Sequence, residues 1–340
     1  WLSKFNLVIK CNKKMAKFLS YIYYRPLRSI IPYLIQIYSN ISEGIQSLDI
    51  ESNQQSFVVL MGVKSTIVKL FTMSVKMCSK IQLINEVVLP IALDVFLNEY
   101  EGVPVGKTPE ILSLFANLSL RIHNDIDPFI PQIFASLISV SFPFLSDFYV
   151  NYSYWKNFVI LVLALVQIPN FFLSISKDDI GSFMEFVKLC CQHPQYEISN
   201  KGLQALMDLL SVLETRTTVQ FFNEFMEFYG LDLMSLIMNL LTDSVHRHEF
   251  IILIGLSRKL ISLNIVKSKQ MELFQLFTEL FPNRPAPELS EWIEKMIQMA
   301  PDYLNYKIVM RNFLISARKF AVNDPALYEK EKLEIEEMIS

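Results

Sequence analysis

Apolar residues recur along this chain at the three- and four-residue spacing that is typical of amphipathic helices. One stripe has successive spacings of four, three and four residues and therefore shares one helical face: Ile111, Phe115, Leu118 and Ile122. The same pattern returns in the segments 203–213 and 309–320. Each segment is apolar on one side and has to bury that side against a neighbour. The pattern therefore predicts an all-α protein.

Proline and glycine separate the apolar segments and divide them into pairs of helices. The predicted pairs occupy 27–79, 83–123, 126–168, 178–214, 217–263 and 268–300, followed by a terminal helix at 304–322 and a more charged one from 324. Each pair takes about 40 to 50 residues, which is the period of HEAT repeats. We predict a right-handed α-solenoid, or superhelix, of HEAT-type antiparallel helix pairs. It forms a single continuous array over 1–340 with about six to seven pairs, and 324–340 is the start of a C-terminal helix.

Several local signals refine these helices. Thr108, Asp127 and Asp324 each precede a proline, and each predicts an N-cap side chain followed by proline at the first helical position. The segment 101–108 carries two glycines and a proline and predicts a loop. Pro90 lies inside an apolar segment, where it predicts either a kinked helix or a break between two shorter helices.

The composition favours a long helical core. Hydrophobic residues make up 52% of the 340 residues, with only 8 glycines and 15 prolines, and the mean hydropathy is +0.31. This excludes an intrinsically disordered chain. Single compact cores stop growing at roughly 250 to 300 residues, so the chain has either two domains or one linear core. We find no linker rich in Pro, Gly or Ser and therefore predict the continuous array.

Charge and cysteine content narrow the classes of partner and compartment. The 31 basic and 34 acidic residues are spread along the chain without a basic stripe, so we expect no direct nucleic-acid binding. The four cysteines, Cys11, Cys78, Cys190 and Cys191, show no disulfide spacing and predict a reducing compartment.

The strongest apolar run is too short to cross a bilayer. It contains nine residues, from Phe158 to Val166, whereas a transmembrane helix needs about 20. We therefore expect no membrane insertion. The chain begins at Trp1 without a charged and then apolar leader, which we take to indicate a fragment or a processed protein, not one with a signal peptide.

Two clusters invite a metal hypothesis. In the first, His246, His248 and Glu249 form an H-x-H-E string, but residues two apart on a helix point in different directions. The alternative is a solvated helix start capped by Asp243 or Ser244.

The second cluster contains Cys190, Cys191 and His193. Its alternative is a pair of buried core thiols, because adjacent cysteines on a helix do not readily face one ion. The chain also has no phosphate-binding glycine motif and no hydrolase elbow. We therefore assign no catalytic, cofactor-binding or metal-binding residue and expect no enzyme.

Two features suggest partner binding. The 26 phenylalanines either fill the core or line slots between outer helices that bind apolar side chains of partners. The charged segment 324–340 keeps a thin apolar stripe formed by Leu327, Leu333 and Ile335, which are weak candidates for partner contacts. That segment is either a solvated cap on the last repeat or a movable helix that docks elsewhere.

An ordered set of sequence blocks resembles a known family. The blocks are VKSTIVKLFTMSV, VVLPIALDVFLNEYEGVP, PEILSLFANLSLRI, IPQIFASLI, KGLQALMDLL, LTDS and RNFLISARKFAVNDPALYEKEKLEIEE. In this order and spacing, from about residue 27 to the C-terminus, the chain is similar to the C-terminal HEAT-repeat region of the exportin-1 family, which belongs to the karyopherin-β (importin-β) superfamily. The last block is the most specific part of the resemblance.

The resemblance implies a nuclear transport receptor that shuttles between nucleus and cytoplasm. Such proteins carry cargo with leucine-rich export signals together with the GTP form of the small GTPase Ran. They cross the nuclear pore through phenylalanine-glycine repeats of nucleoporins. In the family, the export-signal groove and its reactive cysteine belong to earlier repeats, so none of the four cysteines here is equated with it. The alternative is a generic HEAT-repeat scaffold or adaptor subunit.

Overall fold

The structure, a computed structural model, describes residues 2–145, 147–263, 269–317 and Leu333. Within these residues all regular secondary structure is helical, which confirms an all-α helical-repeat protein. The predicted right-handedness stays a prediction. The chain divides into two compact units, Trp1–Val187 and Lys188–Ser340.

The first unit consists of consecutive helices joined by short turns. Its helices are α1 (Leu2–Leu19), α2 (Tyr24–Gln46), α3 (Gln54–Met77), α4 (Ile81–Gly102), α5 (Glu110–Ile126), α6, α7 (Tyr152–Leu165) and α8 (Phe171–Ser174). Helix α9 (Lys177–Gln192) contains the boundary between the units, and its residues Cys190 and Cys191 belong to the second unit. Helix α6 begins as Ile130–Ile133 and continues through a π-helical segment, Phe134–Ser139. Short 3₁₀ turns lie at Ser20–Tyr23, Asp127–Phe129 and Phe142–Leu145.

The core of the first unit runs along a row of neighbouring helices. Helix α3 packs against α1 on one side and α5 on the other, and α5 in turn packs against α7. Helices α2 and α4 lie against this row, where Phe96 of α4 packs edge-to-face on Tyr38 of α2 and Phe71 of α3, with ring centroids 5.0 and 5.2 Å apart. Each helix thus buries its apolar stripe against its neighbours, as the spacing of the stripes predicts.

Helix α4 passes through Pro90 without a break. Pro90 lies in a short α-helical turn, Leu89–Ile91, between two π-helical segments, Ile84–Val88 and Ala92–Leu97. Proline has no N–H to donate to the preceding turn, and π-helical registers commonly occur where the α-helical ladder is interrupted. Of the two alternatives at this position, the break into two separate helices is wrong.

The two predicted caps inside the described residues are also wrong. Helix α5 starts after Pro109 without a side-chain cap, and Thr108 is fully buried. The carboxylate of Asp127 accepts a hydrogen bond from the Asn170 amide at 2.8 Å, so it ties α6 to the segment before α8 and caps no helix. Tertiary packing thus places the Thr108 and Asp127 side chains where neither caps the following helix. Asp324 lies outside the described residues.

The second unit contains α10 (Tyr196–Arg216), α11 (Val219–Thr242), α12 (Phe250–Ser262), α13 (Gln270–Leu280), α14 (Ala286–Met299) and α15 (Tyr303–Ala317). A 3₁₀ helix, Ser244–Glu249, leads into α12. Helix α11 packs against α12 and α13, and α14 packs against α13 and α15. Most of these contacts join helices that are close in sequence.

The observed helix limits follow the predicted segmentation from α2 onward to within a few residues. The predicted pair 178–214, for example, corresponds to α9 and α10, and 268–300 corresponds to α13 and α14. The segmentation did not include α1 or the short helix α8. The single continuous array stays a prediction, and its segment 324–340 is described only at Leu333.

Two helices of the first unit are long and apolar enough to cross a membrane by length and composition alone. They are α3 and α4, whereas the apolar run singled out in the sequence lies in the shorter α7. About half of the most apolar window is buried in each, 50% in α3 and 44% in α4, and core helices of folded proteins pass the same test. The expected lack of membrane insertion stays a prediction.

Candidate partner-binding groove

The predicted C-terminal stripe is described at one position only. Leu333 is 55% exposed, and Leu327 and Ile335 lie outside the described residues. That this stripe contacts a partner therefore stays a prediction.

The H-x-H-E string is not a solvated helix start. His246 and Glu249 are buried, and only His248 of the three is exposed. The Ser199 hydroxyl donates to the Glu249 carboxylate, whose Oε1 lies 3.9 Å from His246 Nδ1. The predicted cap by Asp243 is correct, because its Oδ1 accepts a hydrogen bond from the Val245 N–H at 3.0 Å. These side chains therefore stabilise the turn before α12.

The second cluster lies in the core of the second unit. Cys190, Cys191 and His193 are buried, and His193 Nδ1 accepts a hydrogen bond from the Gln195 N–H at 3.0 Å. Burial raises the pKa of the Cys190 thiol to about 12 and that of Cys191 well above its usual value. Both thiols are thus protonated at neutral pH. No group of three or more His, Cys, Asp or Glu side chains in the described part of the chain is placed to hold a metal ion.

We predict that one of the four cysteines reacts quickly with a thiol reagent in the native protein. Cys11 is exposed, whereas Cys78, Cys190 and Cys191 are buried and free. Thiolate formation and access both limit the reaction, so the buried three should react only after unfolding. Titration with Ellman's reagent, with and without denaturant, measures this, and a Cys11→Ser variant should lose the fast phase. A fast phase that corresponds to two or more thiols would contradict the burial of Cys78, Cys190 and Cys191.

A groove lies between α2 and α4 in the first unit. It has a volume of about 460 Å³, within the range of about 300 to 1,000 Å³ that is usual for ligand pockets. Helix α2 supplies Ser39, Glu43 and Gln46, and α4 supplies Asp94 and Asn98. Each of the two walls thus presents polar side chains to a solvent-accessible slot.

The floor of the groove is a buried hydrogen-bonded ion pair. Lys64 of α3 is completely buried, and its Nζ lies 2.5 Å from Glu99 Oε1. The same ammonium donates to Ser42 Oγ at 3.0 Å and to the Gly106 carbonyl at 3.1 Å. All three protons of the ammonium therefore have an acceptor.

Glu99 of α4 is held by two hydroxyl groups of α2. Its Oε2 accepts from the Tyr38 hydroxyl at 2.9 Å, and its Oε1 accepts from the Ser42 hydroxyl at 2.5 Å. Burial and the Glu99 charge raise the pKa of Tyr38 well above its usual value, so the phenol stays a donor. The result is a closed network that links α2, α3 and α4.

Burial lowers the pKa of the Lys64 ammonium below its ordinary value, and the Glu99 charge opposes that shift. A lysine with a lowered pKa is a recognised nucleophile when a substrate reaches it. Here the side chain has no exposed area, and its nitrogen is saturated by Glu99, Ser42 and the Gly106 carbonyl. The arrangement therefore supports the groove and does not carry out chemistry.

The loop after α4 closes one end of the groove. Gly106 has φ +77°, and a Cβ at this position would lie 2.7 Å from Ile45 Cγ2, so the backbone needs glycine here. The Gln46 amide donates to the Val105 carbonyl at 2.7 Å, and the Lys107 ammonium donates to the Tyr100 carbonyl. The predicted loop is therefore confirmed, and it is fastened to both walls.

The mouth of the groove carries unbalanced negative charge. Glu43 on α2 and Asp94 on α4 are both exposed, and neither makes an ion pair within the part of the chain that the structure describes. Glu99, in contrast, is neutralised by Lys64 at the floor. The surface of the groove includes these three carboxylates and no lysine or arginine, because the Lys64 side chain is completely buried beneath it. The groove is therefore suited to a cationic group.

The groove leaves little trace in the sequence pattern. Its one available signal was Lys64, one of two lysines in the largely apolar segment GVKSTIVKLF of α3. The predicted phenylalanine slots did not point to it either, since most of the phenylalanines in the described residues fill the core and few, such as Phe142 and Phe228, are exposed.

Comparison with known proteins places the chain in a family. A family model described as CRM1 C terminal matches residues 27–322. Exportin-1 of Dictyostelium discoideum is 22% identical over 348 residues, which cover 96% of this chain and 33% of that protein. Exportin-1 of Schizosaccharomyces pombe is 20% identical over 79% of this chain and 27% of its own length. Protein EXPORTIN 1B of Arabidopsis thaliana is 22% identical over 93% of this chain and 32% of its own length.

The chain thus spans about a third of the length of the curated relatives it matches. The matched region begins at residue 27, where the resemblance in the sequence was expected to begin. The resemblance seen in the sequence is thereby confirmed, and because the family model covers well over half of the chain, we conclude that this protein belongs to the family of exportin-1 C-terminal regions.

Proposed function

We propose that the chain is the C-terminal repeat region of a nuclear export receptor. The observation that carries this proposal is the match of residues 27–322 to the family model, together with relatives named Exportin-1 over nearly the whole chain. The row of packed helices supports it, because helical repeats present extended surfaces for protein partners. In this proposal the protein is a transport receptor and not an enzyme.

The finer parts of the proposal concern the whole protein. We propose that it binds cargo with leucine-rich export signals together with the GTP form of a Ran-type GTPase. It contacts phenylalanine-glycine nucleoporin repeats and shuttles between nucleus and cytoplasm. The repeats form one continuous array, and the segment 324–340 contacts a partner through Leu327, Leu333 and Ile335. The exposed side chain of Leu333 supports that last assignment.

A pull-down with the full-length protein tests the export function. Immobilised cargo with a leucine-rich export signal is incubated with the full-length protein and Ran loaded with a GTP analogue or with GDP. We expect retention of the receptor with the GTP analogue and little with GDP, because binding of cargo and GTPase is coupled. A signal-deleted cargo is the control. Retention that depends neither on the Ran nucleotide nor on the export signal would instead indicate a generic scaffold.

We also predict that the 340-residue chain alone does not bind a leucine-rich export peptide. The family resemblance assigns the export-signal groove to earlier repeats, and the groove described here has three carboxylates among its lining residues. Fluorescence anisotropy of a labelled export peptide measures the affinity, with a full-length exportin-1 as positive control. Saturable binding at micromolar concentrations would show that this region holds an export-signal site.

A further inference from the structure

We propose that the α2–α4 groove binds an extended, arginine-containing segment of a partner protein. This goes beyond the export function, because it assigns a ligand chemistry to a site that does not depend on Ran or on a leucine-rich signal. The proposal rests on three properties of the groove: its shape, the arrangement of its acceptors and its charge.

The shape suits a peptide. The slot is lined by residues of two neighbouring helices, α2 and α4, and its volume of about 460 Å³ accepts a few side chains and no folded domain. Its floor is fixed by the Lys64–Glu99 pair and its end by the loop at Gly106. A preformed slot lowers the entropic cost of binding for the receptor.

The available polar groups of the groove are mainly acceptors. The Gln46 amide donates to the Val105 carbonyl at 2.7 Å, and the Asn98 amide donates to the Asp94 carbonyl at 3.0 Å. These bonds leave the two amide oxygens as acceptors, next to the carboxylates of Glu43 and Asp94. A guanidinium has five donors and no acceptor, which is the complement of such a lining.

The negative charge of the groove favours a cationic ligand, and the position of its carboxylates on opposite walls favours arginine. Glu43 lies on the α2 wall and Asp94 on the α4 wall, so the negative charge comes from both sides of the slot. A compact metal ion needs several ligands at one point, and no such group occurs among the described residues. A planar, delocalised guanidinium spans two separate acceptors better than the compact ammonium of lysine does.

A peptide titration tests the proposal on the 340-residue chain. The probe is a fluorescein-labelled heptapeptide, Gly-Ser-Arg-Ala-Arg-Ser-Gly, and two comparison peptides carry lysine or uncharged citrulline in place of both arginines. We expect saturable binding of the arginine peptide, weaker binding of the lysine peptide and none of the citrulline peptide. The double variant Glu43→Gln/Asp94→Asn should lower the affinity for the arginine peptide at least about tenfold, because both walls lose their charge-assisted acceptors.

The matched control removes the same net charge elsewhere in the first unit. Glu51 and Asp178 are exposed and do not line the groove, so Glu51→Gln/Asp178→Asn should change the affinity less than about twofold. Equal weakening by both double variants would show general charge attraction and overturn the proposal. Absence of saturable binding by the wild-type chain, or equal affinity for arginine and citrulline peptides, would also overturn it. None of these results bears on the pull-down with Ran and cargo.

Discussion

Replacement of Lys64 by methionine is expected to lower the free energy of unfolding of the first unit by about 3 to 5 kcal/mol. The change removes the counter-ion of Glu99, whose side chain is only 14% exposed, and leaves its carboxylate uncompensated. It also leaves the Gly106 carbonyl without the Lys64 donor. Breaking a buried pair in this way costs far more than the pair contributes when intact. Urea denaturation followed by the fluorescence of the buried Trp155 measures the loss.

The matched control for this variant lies five residues further along α3. Lys69 also makes an ion pair, with Glu110 at 2.9 Å, but its side chain is 46% exposed. Lys69→Met should therefore cost no more than about 1 kcal/mol. The double variant Lys64→Met/Glu99→Gln should recover much of the loss, because no unpaired buried charge remains. Equal effects of Lys64→Met and Lys69→Met would contradict the buried network.

The helices were predictable because their signal is local and repeated. The apolar stripe from Ile111 to Ile122 belongs to one helix, α5, and the stripe predicts its buried face directly. Most helix ends coincide with a local signal, such as the glycine and proline residues of the loop at 101–108. A pattern that each helix carries within its own sequence can be read without knowing the neighbours.

The groove was not predictable because its signal is distributed. Lys64, Ser42, Glu99 and Gly106 come from three helices and a loop, and the Lys64–Glu99 pair is 35 residues apart in sequence. Periodicity shows that Lys64 lies among apolar residues, but it does not show which carboxylate compensates the charge. Thr108 and Glu249 show the same limit, since each has a local polar signal and a buried position in the fold.

Replacement of Gly202 by alanine is expected to destabilise the second unit by at least about 2 kcal/mol, although alanine has the higher helix propensity. A Cβ at Gly202 of α10 would lie 2.7 Å from the backbone carbonyl carbon of Cys190 and from the backbone nitrogen of Cys191. Real Cβ atoms essentially never come this close to a neighbour. Backbone atoms of α9 cannot rotate away as a flexible side chain does, so the two helices have to move apart.

Two other helical glycines separate this steric effect from the general effect of alanine. A Cβ at Gly62 in α3 meets nothing within 4 Å, so Gly62→Ala should raise the stability of the first unit by about 0.5 to 1 kcal/mol. A Cβ at Gly255 meets only the flexible end of Met207, at 3.3 Å, so Gly255→Ala should change the stability of the second unit by less than about 1 kcal/mol. Thermal denaturation of the three variants gives the order directly. Equal stability of Gly202→Ala and Gly255→Ala would contradict the close approach of α9 and α10. It would mean that the added Cβ at position 202 does not clash with the backbone of α9.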